Sequence, residues 1–579
     1  MHAQGLFLVD VISVSHKKHG FITVRVKLKL LVCSMKRKLS LILCLSVFLC
    51  SVVYVRFNSA EVKSSNGGGP VRNITTGQNY TTIQEAINNA SYGDAIVVGA
   101  GIYSEDVVVN ETVSLTGEDR HNTLVNGSGN APVFYIRRDD VVVSNFTMQN
   151  NNMGSWAGVY VGSYRSNSNV SRSIIKNCSV GVRFWEYSEN NYIVGNEIVN
   201  CRTGVKDRYS SGNFIIGNNI SLCSEYGVDV EGSDDSVVQG NTISECWGGI
   251  YLSYGSTRTV INDNYISNGD GGIGLDASSR NIITNNRIEH CNLSGIYLGE
   301  ALWTGSNYNT VTNNTVSFSM QGDGLFIYGC TGNNLSGNTM MSNLYNFGVE
   351  GEELSDFIHS IDTSNTVDGK PIYYWINEHD TTVLPDAGYV GLVNSTHIVV
   401  ENLTLTSNRQ GVLFAFTSDS NVTGNSIAHN YYGIHLWNAS DDNVVSKNGL
   451  MQNEYGAWLG PCSNNTFYHN NFTDNTEQAY IDSSGYTNFW NETYATGGNY
   501  WSDYEDQYPL AEDVYDGPNQ DQPDPDGDGF WDTPYEIDGD NIDYLPIIPE
   551  YPSLLIVPLF MCFTLIAVAV KRKVEHPHD

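Results

Sequence analysis

The sequence predicts an all-β chain: a single-stranded right-handed parallel β-helix with an N-terminal helical cap and terminal membrane segments. Three observations carry this. A glycine followed by apolar, variable and apolar residues recurs at Gly158, Gly181, Gly204, Gly227, Gly249, Gly272, Gly295, Gly324 and Gly348, and resumes at Gly411, Gly433 and Gly456. The first six steps are 23, 23, 23, 22, 23 and 23 residues. A second pattern, apolar-x-x-Asn-x-apolar, runs in phase at Asn196, Asn218, Asn241, Asn264, Asn286, Asn314 and Asn338, and returns at Asn425, Asn448 and Asn470. Between these markers Val, Ile, Phe and Tyr alternate with polar residues, which favours pleated strands. So short a period cannot hold a helix pair with its turns. It suits one coil of short strands, with Asn and Gly tolerating left-handed backbone at the corners. A single coil cannot bury its apolar face, whereas stacked coils share one interior. The Leu-x-x-Leu-x-Leu signature of leucine-rich repeats is missing.

Residues 1–34 carry no repeat. Met35-Lys-Arg-Lys followed by the apolar run Leu39–Val55 has the form of a signal peptide or signal anchor, which points to Met35 as the start. Residues 1–60 are therefore set apart, and 61–74 read as a linker. The β-helix with its cap is expected over 75–350. Thr82-Ile-Gln-Glu85 matches a capping box, and Ile83, Ala86, Ile87 and Ala90 make one apolar stripe for a short helix over the open end. Residues 351–392 read as an excursion from the wall, holding the phrase DGKPIYYW (Asp368–Trp375) and Glu378-His379-Asp380. Residues 393–490 continue the β-helix, and 491–550 form a C-terminal cap with an Asp-rich loop. The apolar run 553–570 predicts a transmembrane anchor and 571–579, opening on Lys571-Arg-Lys573, a cytoplasmic tail. That arrangement holds the β-helix at the cell surface, outside the cytoplasmic membrane.

A formal charge of −33 leaves no basic footprint for nucleic acid. Such acidity suits divalent cations or keeps an exposed protein soluble. Cys178, Cys201, Cys223, Cys246 and Cys291 occupy one slot of the repeat, which predicts a column of small buried thiols. Neighbouring coils lie close enough for disulfides, so both states stay open. A straight column does not offer the tetrahedral geometry of a metal site.

Thr82–Glu105 with its GDAIVV and GIYSE phrases, the coils, DGKPIYYW, and GGNYWSDY with the following DTPYEIDG resemble NosD-type, pectin-lyase-like right-handed β-helix proteins. The resemblance covers residues 75–550. It implies a kinship with carbohydrate-binding proteins, sugar hydrolases and archaeal surface proteins. It also implies copper, through delivery to nitrous oxide reductase, but no His-x-His, Met-rich or Cys-His cluster supports copper here.

In each Gly-apolar-x-apolar strand the middle residue should face outward. The expected outer stripe is Tyr160, Arg183, Lys206, Asp229, Tyr251, Gly274, Tyr297, Phe326 and Glu350, then Leu413, His435 and Trp458. Tyr160, Tyr251, Tyr297, Phe326, His435 and Trp458 are candidates to lie against sugar rings; the alternative is that stacked like residues stabilise the sheet. Arg183, Lys206, Asp229, Asp234 and Asp235 are candidates for lyase or glycoside hydrolase chemistry; the alternative is salt bridging between coils. The Gly-His-Gly and Asn-Thr-Asp signatures of polygalacturonases are absent, as is the Gln-Asp-Thr-Leu phrase of pectin methylesterases. An epimerase-type Asp-Pro-His-Asp is also missing; only His576-Pro-His-Asp579 comes near it. Asp524-x-Asp526-x-Asp528-Gly-Phe530-x-Asp532 has the alternating oxygens and tight-turn glycine of a Ca²⁺ loop, with Tyr535 where an EF-hand has Glu. Sequons at Asn73, Asn110, Asn145, Asn313, Asn402 and Asn491 are candidate glycan acceptors. The leading expectation is a membrane-anchored surface protein that binds polysaccharide or builds the envelope without catalysis. The alternatives are an extracellular lyase or hydrolase, and a metal maturation factor.

Overall fold

The structure, a computed structural model, describes residues 71–150, 156–301, 304–482, 485–523 and 527–549. It is an all-β parallel β-helix of about 17 turns. Each coil lays down three short strands, as in Tyr192–Val194, Glu197–Val199 and Thr203–Arg208. Each strand pairs in parallel with its counterpart one coil on: Tyr192 with Phe214, Glu197 with Asn219, Lys206 with Asp229. Repetition builds three walls, the first of 14 strands and the third of 11 up to Glu350.

Two kinds of glycine hold this geometry. Gly195, Gly217 and Gly240 have φ of 63°, 61° and 63° at the corner before the ladder asparagine. Their surroundings are open, so Arg172, Asp263 and Asn285 fill the same left-handed slot elsewhere. The repeat glycines lie within strands and not at corners, as Gly204 does in Thr203–Arg208. A Cβ at Gly181 would fall 2.5 Å from the carbonyl oxygen of Gly204, and one at Gly204 would fall 2.4 Å from that of Gly227. Close backbone approach, not left-handed φ, demands glycine there.

The in-phase asparagines form a buried ladder. Asn241 accepts from the backbone N–H of Asn218 at 2.9 Å and from its Nδ2 at 3.0 Å, while its own Nδ2 donates to the Ile215 carbonyl at 2.9 Å. Asn241→Ala would orphan these groups. Expected destabilisation is roughly 2–5 kcal/mol, from unsatisfied groups costing about 1–3 kcal/mol each, measured by urea denaturation against the exposed control Asn219→Ala.

The cysteine column is present. Cys178, Cys201, Cys223, Cys246 and Cys291 are buried and free, and the thiols of Cys178 and Cys246 donate to the carbonyls of Lys176 and Ser244, two residues back, at 3.2 and 3.4 Å. Burial pushes Cys291 up to about 12, so its thiol is not a nucleophile at neutral pH.

At the N-terminal side, Ile83–Asn88 is helical and buries Ile83, Ala86 and Ile87. Thr82 accepts from the Glu85 N–H, but the Glu85 carboxylate turns to Thr81, one residue before the expected box partner. Glu105 supplies the remaining cap, accepting from the backbone N–H groups of Ile83 and Gln84 at 3.0 Å each.

Residues 351–392 are not an excursion. Lys370–Ile376 folds back antiparallel on Thr366–Val367 and then pairs in parallel with Tyr389–Val393. Its neighbouring residues serve two cores. Ile372, Tyr374 and Tyr389 join the core of the first stack of coils, and Tyr373, Val390 and Leu392 join that of a second. A strand apolar on both faces has no side to offer solvent, so it becomes a shared wall. The second stack then grows through Gln410–Ala415, Tyr432–Trp437, Tyr455–Leu459 and Glu477–Ile481. Beyond it Trp501 stacks between Phe472 and Tyr535, at 4.4 and 4.2 Å.

No helix among the described residues is long and apolar enough to cross a membrane. The segments Leu39–Val55, 553–570 and 571–579 lie outside the described residues.

Candidate functional site

The third wall sets Tyr160, Arg183, Lys206, Asp229, Tyr251, Gly274, Tyr297 and Phe326 in register, one per coil. Tyr135 extends the line by one coil at its start. At its end the register differs from the expectation. Gly348, not Glu350, pairs with Phe326, and Glu350 pairs with Tyr328. Asn346 takes the repeat-glycine position, so the last glycine of the sequence pattern falls two residues late.

In the middle of this line lies a cleft of about 640 Å³, lined by Lys206, Glu225, Tyr226, Asp229, Trp247 and Tyr251 among others. The rings of Tyr226 and Tyr251 stack at 4.6 Å with 4° between planes. Glycines make the room. A Cβ at Gly248 would fall 2.6 Å from Tyr226, and one at Gly274 would fall 3.2 Å from Tyr251. Trp247 meets Tyr226 edge-on at 5.3 Å and stays 49% exposed. The Tyr251 hydroxyl donates to Asp276 at 2.5 Å, which locks its ring.

Charge in the cleft is tightly paired. Lys206 Nζ lies 2.7 Å from Asp229 and 3.0 Å from Glu231, and Arg208 Nε lies 3.1 Å from Glu231. Burial opposes the Lys206 charge, but the two carboxylates outweigh it and raise its pKa. Lys206 is therefore a held ammonium, unsuited to act as a base at neutral pH. Burial raises the Asp229 carboxyl in spite of Lys206 beside it. The result is an aromatic cleft with fixed hydrogen-bonding groups and an acidic balance.

The other sequence candidates are placed apart from it. Asp234 and Asp235 sit on the adjoining corner, paired with Arg258 at 3.2 and 2.7 Å. Arg183 packs against Trp185, 5.8 Å from the ring centroid, and its Nε has no hydrogen-bond partner. Phe326 is covered by the Arg409 guanidinium at 4.2 Å. Leu413 is fully buried in the first core rather than outward, because its strand is part of the shared wall. His435, Trp458 and Tyr480 pair in register on the second stack. Of the sequons, Asn73 is buried and donates to Asp94 at 2.7 Å.

Trp247 and Tyr226 were missed by the stripe pattern because neither holds its middle position. A signal existed: Trp247 stands where other coils carry Ser179, Arg202, Ser224 and Asp270.

In the Asp-rich loop, Asp524 and Asp526 lie outside the described residues. Asp528 accepts from the Phe530 N–H, the Tyr494 hydroxyl and Gln520, and Asp532 accepts from the backbone N–H groups of Val514 and Tyr515. Among the described residues no three His, Cys, Asp or Glu side chains converge as a metal site.

The three walls define a parallel β-helix. The family profile described as "Periplasmic copper-binding protein (NosD)" matches residues 60–228, 197–372 and 377–506. The chain belongs to the NosD family. A "Cell surface glycoprotein" of Methanothermus fervidus is 31% identical over 127 residues, which are 21% of this chain and 19% of that protein. The match thus spans about a fifth of the relative's length. Among solved structures, the A-module of the Azotobacter vinelandii mannuronan C-5 epimerase AlgE6 is 13% identical, with 70% of this chain and 92% of that chain covered and a TM-score of 0.34. The tailspike protein of E. coli bacteriophage HK620, in complex with pentasaccharide, is 12% identical, with 61% and 74% covered and a TM-score of 0.39. The family description implies copper; among the described residues the thiols are buried and no three His, Cys, Asp or Glu side chains are grouped to hold an ion.

Proposed function

We propose that the chain is a membrane-anchored cell-surface protein that binds glycan in the Lys206–Tyr254 cleft without cleaving it. The observation that supports this most is the pair of stacked tyrosines beside half-exposed Trp247, set among fixed carboxylates. Aromatic rings bury the C–H face of a sugar, and the polar groups beside them take its hydroxyls. The surface location is supported by the name of the Methanothermus fervidus relative and by the apolar runs Leu39–Val55 and 553–570. Ca²⁺ in the 524–532 loop belongs to the same reading, as a structural ion near the end of the second stack.

Calorimetric titration against neutral and uronate oligosaccharides, with and without Ca²⁺, tests it. Trp247→Ala is expected to weaken glycan binding at this cleft roughly tenfold, the equivalent of about 1.4 kcal/mol. Undiminished affinity would remove the cleft from the reading. Release of cleaved product, abolished in Lys206→Ala, would replace binding with lyase or hydrolase activity.

A further inference from the structure

A second cleft, of about 470 Å³, lies where the two stacks of coils meet. Tyr328, Glu350 and Glu352 come from the end of the first stack, and His435, Trp437 and Trp458 from the second. His435 is only 4% exposed, yet neither ring nitrogen has a hydrogen-bond partner, and the indole Nε1 of Trp437 has none either. Burial, and then the Arg409 charge, hold the imidazole down at about 3, so the ring is neutral. A neutral imidazole donates from one nitrogen and accepts at the other.

Three buried nitrogens without partners, on residues that line one opening, are costly unless something satisfies them. Their surroundings are rigid. Trp437 lies on Gly460, where any Cβ would fall 2.5 Å from the indole. Trp458 meets Tyr432 edge-on at 5.0 Å. At the rim Glu350 is held by Arg409, whereas Glu352 and Glu353 are exposed and form no ion pair among the described residues. Such a rim repels an acidic ligand.

We propose that this junction cleft binds a non-acidic sugar residue, whose hydroxyls engage His435 and Trp437 while its C–H face lies on Trp458. The ligand class rests on the glycan-binding reading above, but the site uses a separate set of residues. A sugar hydroxyl both donates and accepts, which matches a neutral imidazole beside an indole N–H. An acidic sugar would place its carboxylate against Glu352 and Glu353.

The experiment is calorimetric titration of the full chain with neutral hexasaccharides and with hexagalacturonate, for wild type, His435→Phe, Trp458→Ala and Trp247→Ala. His435→Phe keeps an aromatic ring of similar size and removes the orphaned nitrogens, so its melting temperature should hold or rise while neutral-sugar affinity at the junction falls tenfold or more. Two sites are expected in the wild type, one lost in His435→Phe and Trp458→Ala, the other in Trp247→Ala. Neutral-sugar binding untouched by His435→Phe and Trp458→Ala would mean that water alone serves these nitrogens, and would overturn this inference while leaving the first cleft intact. Hexagalacturonate held more tightly than neutral sugar at the junction would overturn it too. Absence of any oligosaccharide binding would remove both this site and the broader reading.

Discussion

Arg409→Met is expected to destabilise the protein by about 3–5 kcal/mol, the usual cost of stranding a buried charge. The Arg409 guanidinium pairs through Nε with Glu350 and through Nη1 with Asp323 at 3.3 Å, and lies 5.0 Å from the ring centroid of Tyr431. Asp323 and Glu350 belong to the last coils of the first stack, and Arg409 enters the second. Their side chains are only 4% and 16% exposed. Methionine keeps the aliphatic stem over Gly348 but takes the guanidinium off Phe326 and leaves two carboxylates facing each other with little solvent between them. Burial already pushes Asp323 up to about 7 with Arg409 present. Without the guanidinium it should stay protonated at neutral pH. Adding Glu350→Gln to Arg409→Met should recover part of the loss, which a urea-denaturation double-mutant cycle would measure. A loss below about 1 kcal/mol would remove the clamp from this account, since exposed pairs contribute that little.

Asp207 should contribute a loss of stability as pH rises from about 4 to 7, opposed over part of that range by buried His359 and His435, whose rings burial holds down at about 4 and about 3. Asp207 points into the core of the first stack, where a neighbouring coil carries Val230. It is fully buried and accepts from Ser236 at 2.8 Å, Asn213 at 3.1 Å and Ser233 at 3.3 Å. Burial pushes its carboxyl up to about 7 from 3.8, against those hydrogen bonds. The folded protein therefore keeps a proton that the unfolded chain sheds. Below pH 4 the group costs nothing. Through the folded pKa the penalty grows, reaching about 4 kcal/mol once both states are ionised, at about 1.36 kcal/mol per pKa unit. Asp323 and Asp543, also pushed to about 7, act in the same direction. Asp207→Asn removes one of the three. Its stability relative to wild type should rise steadily between pH 4.5 and 8, as read from melting temperatures at fixed ionic strength. A pH-independent difference would show that Asp207 is ionised in the folded protein across this range.

Much of the architecture was readable in the chain, and for one reason. In a stack of coils the spatial neighbour of a residue is the residue one period away, so columns in space are repeats in sequence. The asparagine ladder, the cysteine column and the line from Tyr160 to Phe326 follow from that alone. Asp207 was visible as an exception, a carboxylate where Gly204-Val-Lys-Asp should end on an apolar residue. Failures came where the period slips. Gly348 fits the pattern by letter but sits at the outward position, which moves Glu350 away from the stripe and toward Arg409. Trp247 and Tyr226 escaped because stripe logic follows one slot per coil, whereas a cleft draws on several.

From the sequence alone came the fold class, the stacked coils and the columns of residues they repeat, since these depend on local period and on contacts 22–23 positions apart. The tertiary structure decided the shared wall at 370–376, the burial of Leu413 and the cleft around His435. Those rest on contacts such as Arg409 with Asp323 and Gln410 with Val349, 86 and 61 residues apart. Such separations are not multiples of any repeat, and the strand between the two stacks has an apolar residue on each face, so no alternation marks which side is the core.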